Sequence, residues 1–140
     1  MNIEFIVTKI NKLKTDLAIG DFIAYRNGKV VFKHPAKSGG WGKGPMPYGE
    51  YRIEYVVSKK EDSYTLFGMG WFAYLNPQFK TDRTELGIHP DGNVEGSFGC
   101  CVLPFQKLDD NLACRYLLRD ELEKGPIPFV CRQVLGDRKA

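Results

Sequence analysis

Apolar residues in this chain fall mostly in short β-branched or alternating runs, separated by polar and glycine-rich breaks. Ile3 to Ile10 is one such run. Asp21 to Lys33 carries two more, Phe22-Ile23-Ala24-Tyr25 and Lys29-Val30-Val31-Phe32. They meet across Arg26-Asn27-Gly28, and Asn-Gly is a strong two-residue hairpin signal. Residues 38–49, SGGWGKGPMPYG, hold five glycines and two prolines in twelve positions and read as a loop. Glu50 to Ser58 alternates as a strand does, and the aromatic-rich stretch Ser63 to Leu75 predicts one or two strands around Gly68 and Gly70. Cys101-Val102-Leu103 predicts a short buried strand, and Pro128 to Val134 a final one.

One late helix stands against this pattern. Leu108, Leu112 and Tyr116 recur at i, i+4 and i+8, with Ala113 and Leu117 widening the stripe. Asp109 and Asp110 are candidate N-caps and suit the positive end of the helix dipole. Lys124-Gly125-Pro126 is a stop signal. Short strands with one late amphipathic helix predict a mainly β fold, a β-rich α+β arrangement. The 140 residues fit a single domain spanning 1–140.

Composition changes this picture little. The chain is 43% AVILMFWYC and 26% charged, as globular domains are. No apolar run approaches the ~20 residues that span a bilayer. MNIEFIVTKINKLK lacks a basic segment followed by an apolar one, so no secretory signal is expected. The net charge of +3 comes from 20 basic and 17 acidic residues, mostly scattered, and predicts a solvated surface rather than a nucleic-acid partner. The four cysteines, Cys100, Cys101, Cys114 and Cys131, form no CxxC, and two histidines cannot complete an ordinary zinc-finger pattern. Reduced thiols are the expectation.

Candidate chemistry concentrates in residues 88–100, IHPDGNVEGSFGC, where His89 precedes Cys100 by eleven positions. A thiol attacks well only as its thiolate, and a hydrogen-bonded imidazole deprotonates and stabilises it. Gly96 and Gly99 let the backbone bend so that amide N–H groups converge on a bound oxygen, as an oxyanion hole requires. The same spacing also suits a small buried thiol and a histidine in a turn, so spacing alone leaves both readings open. Two histidines without grouped carboxylates argue against a catalytic metal.

Arg83-Thr84-Glu85-Leu86-Gly87-Ile88-His89-Pro90-Asp91-Gly92, followed by Gly96-Ser97-Phe98-Gly99-Cys100-Cys101-Val102, resembles the active-site signature of the L,D-transpeptidase catalytic domain. That signature is a histidine, a loop, Ser/Thr-x-Gly-Cys and an apolar strand. Phe98 stands where the family usually has histidine, and seven residues separate His89 from Ser97, fewer than in typical members. Both departures resemble a compact branch found in phage proteins and type VI secretion cell-wall effectors. GGWGKGPMPYGEYRI, residues 39–53, is similar to that branch's G-x-G-P-[LIM]-P-x-G-x-Y-x-I segment, and the closing helix with Pro126-Ile127-Pro128-Phe129-Val130 matches more weakly.

The resemblance implies a β-sandwich with Cys100 as nucleophile and His89 as its base, the ring oriented by a backbone carbonyl. It implies oxyanion donors at the Gly99 and Cys100 amides, with Ser97 holding the loop or bonding near the thiolate. Arg83 either binds a substrate carboxylate or pairs with Asp82 or Glu85. Trp41 and Tyr48 are candidate walls of a peptide groove; Trp71, Phe72 and Tyr74 fit either groove or core. Strand alternation turns Cys101 away from Cys100. Cys114 and Cys131 read as packing residues, His34 as a strand-end surface residue, and Asp91 as a turn residue.

The implied reaction is acyl transfer on peptidoglycan stem peptides through a Cys100 thioester, passed to an amine or to water, with no cofactor. An effector of this kind leaves room for an immunity protein as partner. It would be made in the cytoplasm and reach the periplasm or cell wall by lysis, a secretion system or a virion. Two other readings stay open: a cysteine peptidase or amidase cutting another bond, and a non-enzymatic wall-binding or virion module.

Overall fold

The computed structural model describes residues 1–12, 15–92, 97 and 99–134. The chain is mainly β with one helix. The strands are β1 (Asn2–Lys12), β2 (Asp16–Arg26), β3 (Lys29–Gly39), β4 (Gly49–Ser58), β5 (Thr65–Leu66), β6 (Met69–Pro77), β7 (Gly87–Pro90), β8 (Cys101–Leu103) and β9 (Ile127–Gln133), with α1 (Leu108–Leu122) before the last. They form one sheet in the order β4-β9-β1-β2-β3-β8-β7-β6-β5. A further β4–β6 pairing joins its two sides, so the sheet closes on itself in a barrel-like sandwich. Closure removes the unpaired edges that an open sheet must protect.

Local chemistry explains the long hairpins. Asn27 and Gly28 take φ of 53° and 78°, the two left-handed positions of a type I′ turn, and β2 and β3 pair antiparallel from there to Leu17↔Gly39. Both strands run farther than their apolar runs indicate. Most pairings are antiparallel, but β1–β9 and β7–β8 are parallel. The first joins the two ends of the chain, with Glu4 and Arg132 bonded across it at 2.9 Å.

The core holds Ile3, Phe5, Phe22, Tyr51, Ile53, Trp71, Ile88, Leu103 and Phe129. Helix α1 contributes Cys114 and Leu118 to it. The buried face of α1 is Asn111, Cys114, Leu118 and Glu121, not the predicted stripe: Leu108 and Tyr116 are exposed. Polar anchors set that rotation. The Trp71 indole N–H donates to Asn111 Oδ1 at 2.6 Å, and Asn111 Nδ2 donates to the carbonyls of Leu66 and Met69. Glu121 pairs with Arg26 at 2.5 Å, and that bond holds its carboxyl below the usual range. The N-cap is Lys107 with no side-chain cap, so Asp109 and Asp110 occupy the first turn rather than the cap.

His34 also differs from expectation. It lies inside β3 opposite Phe22, buried beside Phe105 at 4.8 Å between ring centres, with Nδ1 2.8 Å from the Pro35 carbonyl. Phe22 draws its partner position toward the core, which a strand-end surface reading misses.

Candidate active site

Alternation places the site on the face of the sheet turned away from the core. Leu86, Ile88, Cys101 and Leu103 join the core cluster, so Gly87, His89, Cys100 and Val102 point the other way. In the parallel β7–β8 pair Ile88 faces Cys101 and His89 faces Val102. His89 and Cys100 are therefore diagonal neighbours on one face, an arrangement in which long side chains still reach each other. On the next strand, Phe72 and Tyr74 share that face, while Trp71 is fully buried in the core.

These residues bound a cleft of about 580 Å³. His89, Ser97, Gly99 and Cys100 line it, with Tyr64, Phe72 and Tyr74 as aromatic walls and Trp41 from the loop between β3 and β4. Tyr48, also in that loop, is exposed and does not line the cleft. Lys59, Thr84 and Glu85 complete much of the rim.

The His89 ring is held on three sides. Phe72 stacks on it at 5.5 Å and 17°, and Tyr64 meets it edge-on at 4.7 Å and 87°. Gly87 makes the first contact possible: a Cβ there would lie 2.2 Å from the Phe72 ring. Nδ1 is 2.7 Å from the Pro90 carbonyl. A carbonyl only accepts, so Nδ1 carries the proton and Nε2 is the basic nitrogen. The ring is thus oriented by a backbone carbonyl, and His89 and Pro90 belong to a strand rather than a turn.

Ser97 ties the backbone before Cys100 together. Its hydroxyl donates to the Cys100 carbonyl at 2.7 Å and accepts from the Gly99 and Gly39 amides at 3.2 and 3.3 Å. Its own N–H donates to the Gly39 carbonyl at 2.7 Å. Of the two amides expected as oxyanion donors, the Gly99 N–H is thus engaged by the Ser97 hydroxyl. Gly96 and Phe98 lie outside the described residues.

Arg83 donates from Nη1 to the Pro45 carbonyl at 3.1 Å and from Nη2 to the Gly44 carbonyl at 3.3 Å. It also lies against Gly99, where φ is 132° and a Cβ would come within 2.0 Å of Nη2. Arg83 thus clamps the segment 40–48 to the backbone before Cys100, a role that neither sequence expectation included; the expected loop 38–49 is shorter, because Ser38 and Gly39 end β3 and Gly49 begins β4.

Burial moves both His89 and Cys100 toward their neutral forms. It pushes His89 down to about 4, partly offset by the Pro90 hydrogen bond. It pushes the Cys100 thiol up to about 11, opposed by a Gly87 backbone hydrogen bond and the Arg83 charge and reinforced by Glu85. Cys100 Sγ donates to the Glu85 carbonyl at 3.7 Å. The resting site therefore holds a thiol and a neutral imidazole, not a standing thiolate–imidazolium pair. Cys101, Cys114 and Cys131 are buried free thiols.

Tyr64, Lys59 and Gly87 escaped the sequence reading. Alternation from His89 does put Gly87 on the face that bears the cleft, but Tyr64 and Lys59 arrive by tertiary packing with no local signal. Among the described residues, no group of three or more His, Cys, Asp or Glu is placed to hold a metal ion. No helix is long and apolar enough to cross a membrane among those residues. No protein-family model matches the chain, and no curated protein matches it.

Proposed function

We propose that this chain is a cysteine acyl-transfer enzyme acting on peptidoglycan stem peptides, as an L,D-transpeptidase or L,D-carboxypeptidase. One observation carries the proposal: His89 in β7 and Cys100, immediately before β8, line one cleft, and the Pro90 carbonyl holds the His89 tautomer that leaves Nε2 unprotonated. The ordered resemblance of residues 39–53 and 83–102 supplies the substrate class.

The neutral resting pair sets the order of events. As Sγ attacks the scissile carbonyl carbon, its proton passes to His89 Nε2, and the carbonyl oxygen takes the charge near the Cys100 amide. Collapse breaks the C–N bond, and His89 returns the proton to the leaving amine. An amine or water then attacks the thioester, yielding a crosslink or a trimmed stem and restoring the thiol. The substrate lies in the cell wall, so action there would follow delivery by lysis, a secretion system or a virion. An immunity protein fits an effector so delivered.

Incubating the protein with purified sacculi and analysing muropeptides tests the proposal. Loss of the terminal D-residue, or new crosslinks, is expected from wild type and not from Cys100→Ala. With a tetrapeptide stem, mass spectrometry should find a tripeptide acyl group on Cys100. Acylation through another bond would assign a different peptidase or amidase. Identical muropeptides from both proteins would favour a binding module.

A further inference from the structure

We propose that Glu85 is a positioning residue for the Cys100 thiol: its backbone carbonyl holds the S–H proton in the resting site, and the thiol must turn away from Glu85 before His89 can take that proton. This deepens the acyl-transfer reading, on which the role of His89 rests. Among the described residues, three that are not glycine have a positive φ: Asn27, Phe67 and Glu85. Asn27 and Phe67 sit in the turns of the β2–β3 and β5–β6 hairpins, each just before a glycine. Glu85, at 56°, belongs to no hairpin and lines the cleft. Glutamate has no local preference for the left-handed region, so its neighbours must hold it there.

Both flanks are pinned. On one side the Arg83 N–H donates to Thr81 Oγ1 at 3.1 Å, and the Arg83 guanidinium holds the Gly44 and Pro45 carbonyls. On the other the Leu86 carbonyl accepts from the Leu75 N–H at 3.0 Å, and the Leu86 side chain enters the core. The bend at Glu85 carries the chain from clamp to core and leaves its carbonyl 3.7 Å from Cys100 Sγ. Two groups of one segment then address the sulfur with opposite preferences. The Glu85 carbonyl only accepts, so it bonds the thiol and repels the thiolate. The Gly87 backbone hydrogen bond favours the thiolate, and the Glu85 carboxylate disfavours it. Passing the proton from Sγ to His89 Nε2 breaks the S–H bond, makes an N–H bond and leaves the electron pair on sulfur. That step gives up the Glu85 contact and keeps the Gly87 one.

The S–H stretching band of Cys100, isolated as the infrared difference between wild type and Cys100→Ala, reads the proton's acceptor. It should lie at the lowered frequency of a hydrogen-bonded thiol. It should stay there in His89→Gln, and also in Glu85→Asn, which keeps a carbonyl and tolerates the left-handed conformation. Glu85→Val resists that conformation and should move the band to the free-thiol position or onto His89. Alkylation by iodoacetamide gives the kinetic counterpart. At neutral pH Glu85→Val should react about three- to tenfold faster, the scale of one hydrogen bond. Adding His89→Gln should abolish the gain, because the released proton goes to His89; a loop that had merely opened would keep it. A band that shifts in His89→Gln places the resting proton on His89 and overturns the inference, whether or not Glu85→Val folds. So does a gain in Glu85→Val that survives loss of His89. Neither readout uses a peptide, so stem peptides that fail to acylate Cys100 would strike the acyl-transfer reading and not the parked proton.

Discussion

At His89 and Cys100, burial and chemistry oppose each other, and pH exposes the conflict. In the proposed reaction the base must be neutral to accept the thiol proton, and burial holds His89 neutral down to about 4. The acid limb of the acylation rate should therefore lie near pH 4 rather than near the ordinary imidazole value of about 6.5. With the thiol raised to about 11, no standing thiolate should add a second step between. A limb near 6.5 would show a solvated ring. The same shift sets a stability trend. Between about 6.5 and 4 the unfolded chain takes up the His89 proton and the folded chain does not, so stability falls as pH falls through that window. The loss is roughly 3 kcal/mol below it. Comparing urea unfolding of wild type and His89→Gln at several pH values isolates that increment, which the variant should lack. Ser97 makes a separate case. Ser97→Ala removes one donor and one shared acceptor from the nucleophile's loop; a stability loss of about 1–3 kcal/mol and slower acylation are expected. Unchanged acylation would show that the loop keeps its shape without the hydroxyl.

Helix α1 shows which part of an element its own sequence determines. Its existence and its stop follow from local periodicity and from Lys124-Gly125-Pro126, and both are where that pattern puts them. Its rotation follows from partners far along the chain. Asn111 is buried because the Trp71 indole and two hairpin carbonyls need a partner, and Glu121 because Arg26 reaches it. A hydrophobic stripe cannot anticipate polar residues that turn inward to satisfy distant groups. Asn111→Ala should cost about 3 kcal/mol, since it strands a buried indole N–H and releases two carbonyls. Leu108→Ala should cost under about 0.5 kcal/mol, because an exposed side chain has little packing to lose. Chemical denaturation of both variants tests the assignment, and a reversed order would restore the leucine stripe as the packing face. The candidate catalytic stretch was more legible than the helix face. His89, Ser97 and Cys100 lie within twelve consecutive residues, with β7 at one end and β8 just beyond the other. The clamp by Arg83 was not legible, because it depends on where the segment between β3 and β4 closes over the site.

The closed sheet separates the molecule into a core side and a reactive side, and the cysteines report that division. Cys101, Cys114 and Cys131 all belong to the core cluster, whereas Cys100 is half-buried on the cleft. Sequence alternation separates Cys100 from Cys101, but closure through β4–β6 and the parallel joining of the chain ends by β1–β9 depend on contacts that no local pattern carries. Burial of Cys131 in β9 and Cys114 in α1 follows from that closure. A sheet with no free edge along its closed circuit has no strand that can peel away without breaking pairings on both sides, so the three core thiols should become accessible together. Titration of the native protein with an aromatic disulfide should modify one thiol of four, and peptide mapping should place it at Cys100. Its rate should climb with pH toward 11, because the thiolate is the reacting species. The other three should react at one shared rate equal to that of unfolding, and denaturant should raise it. Early modification of Cys131 alone would mean that β9 leaves the sheet by itself, and the closed sheet would then not be the unit that opens.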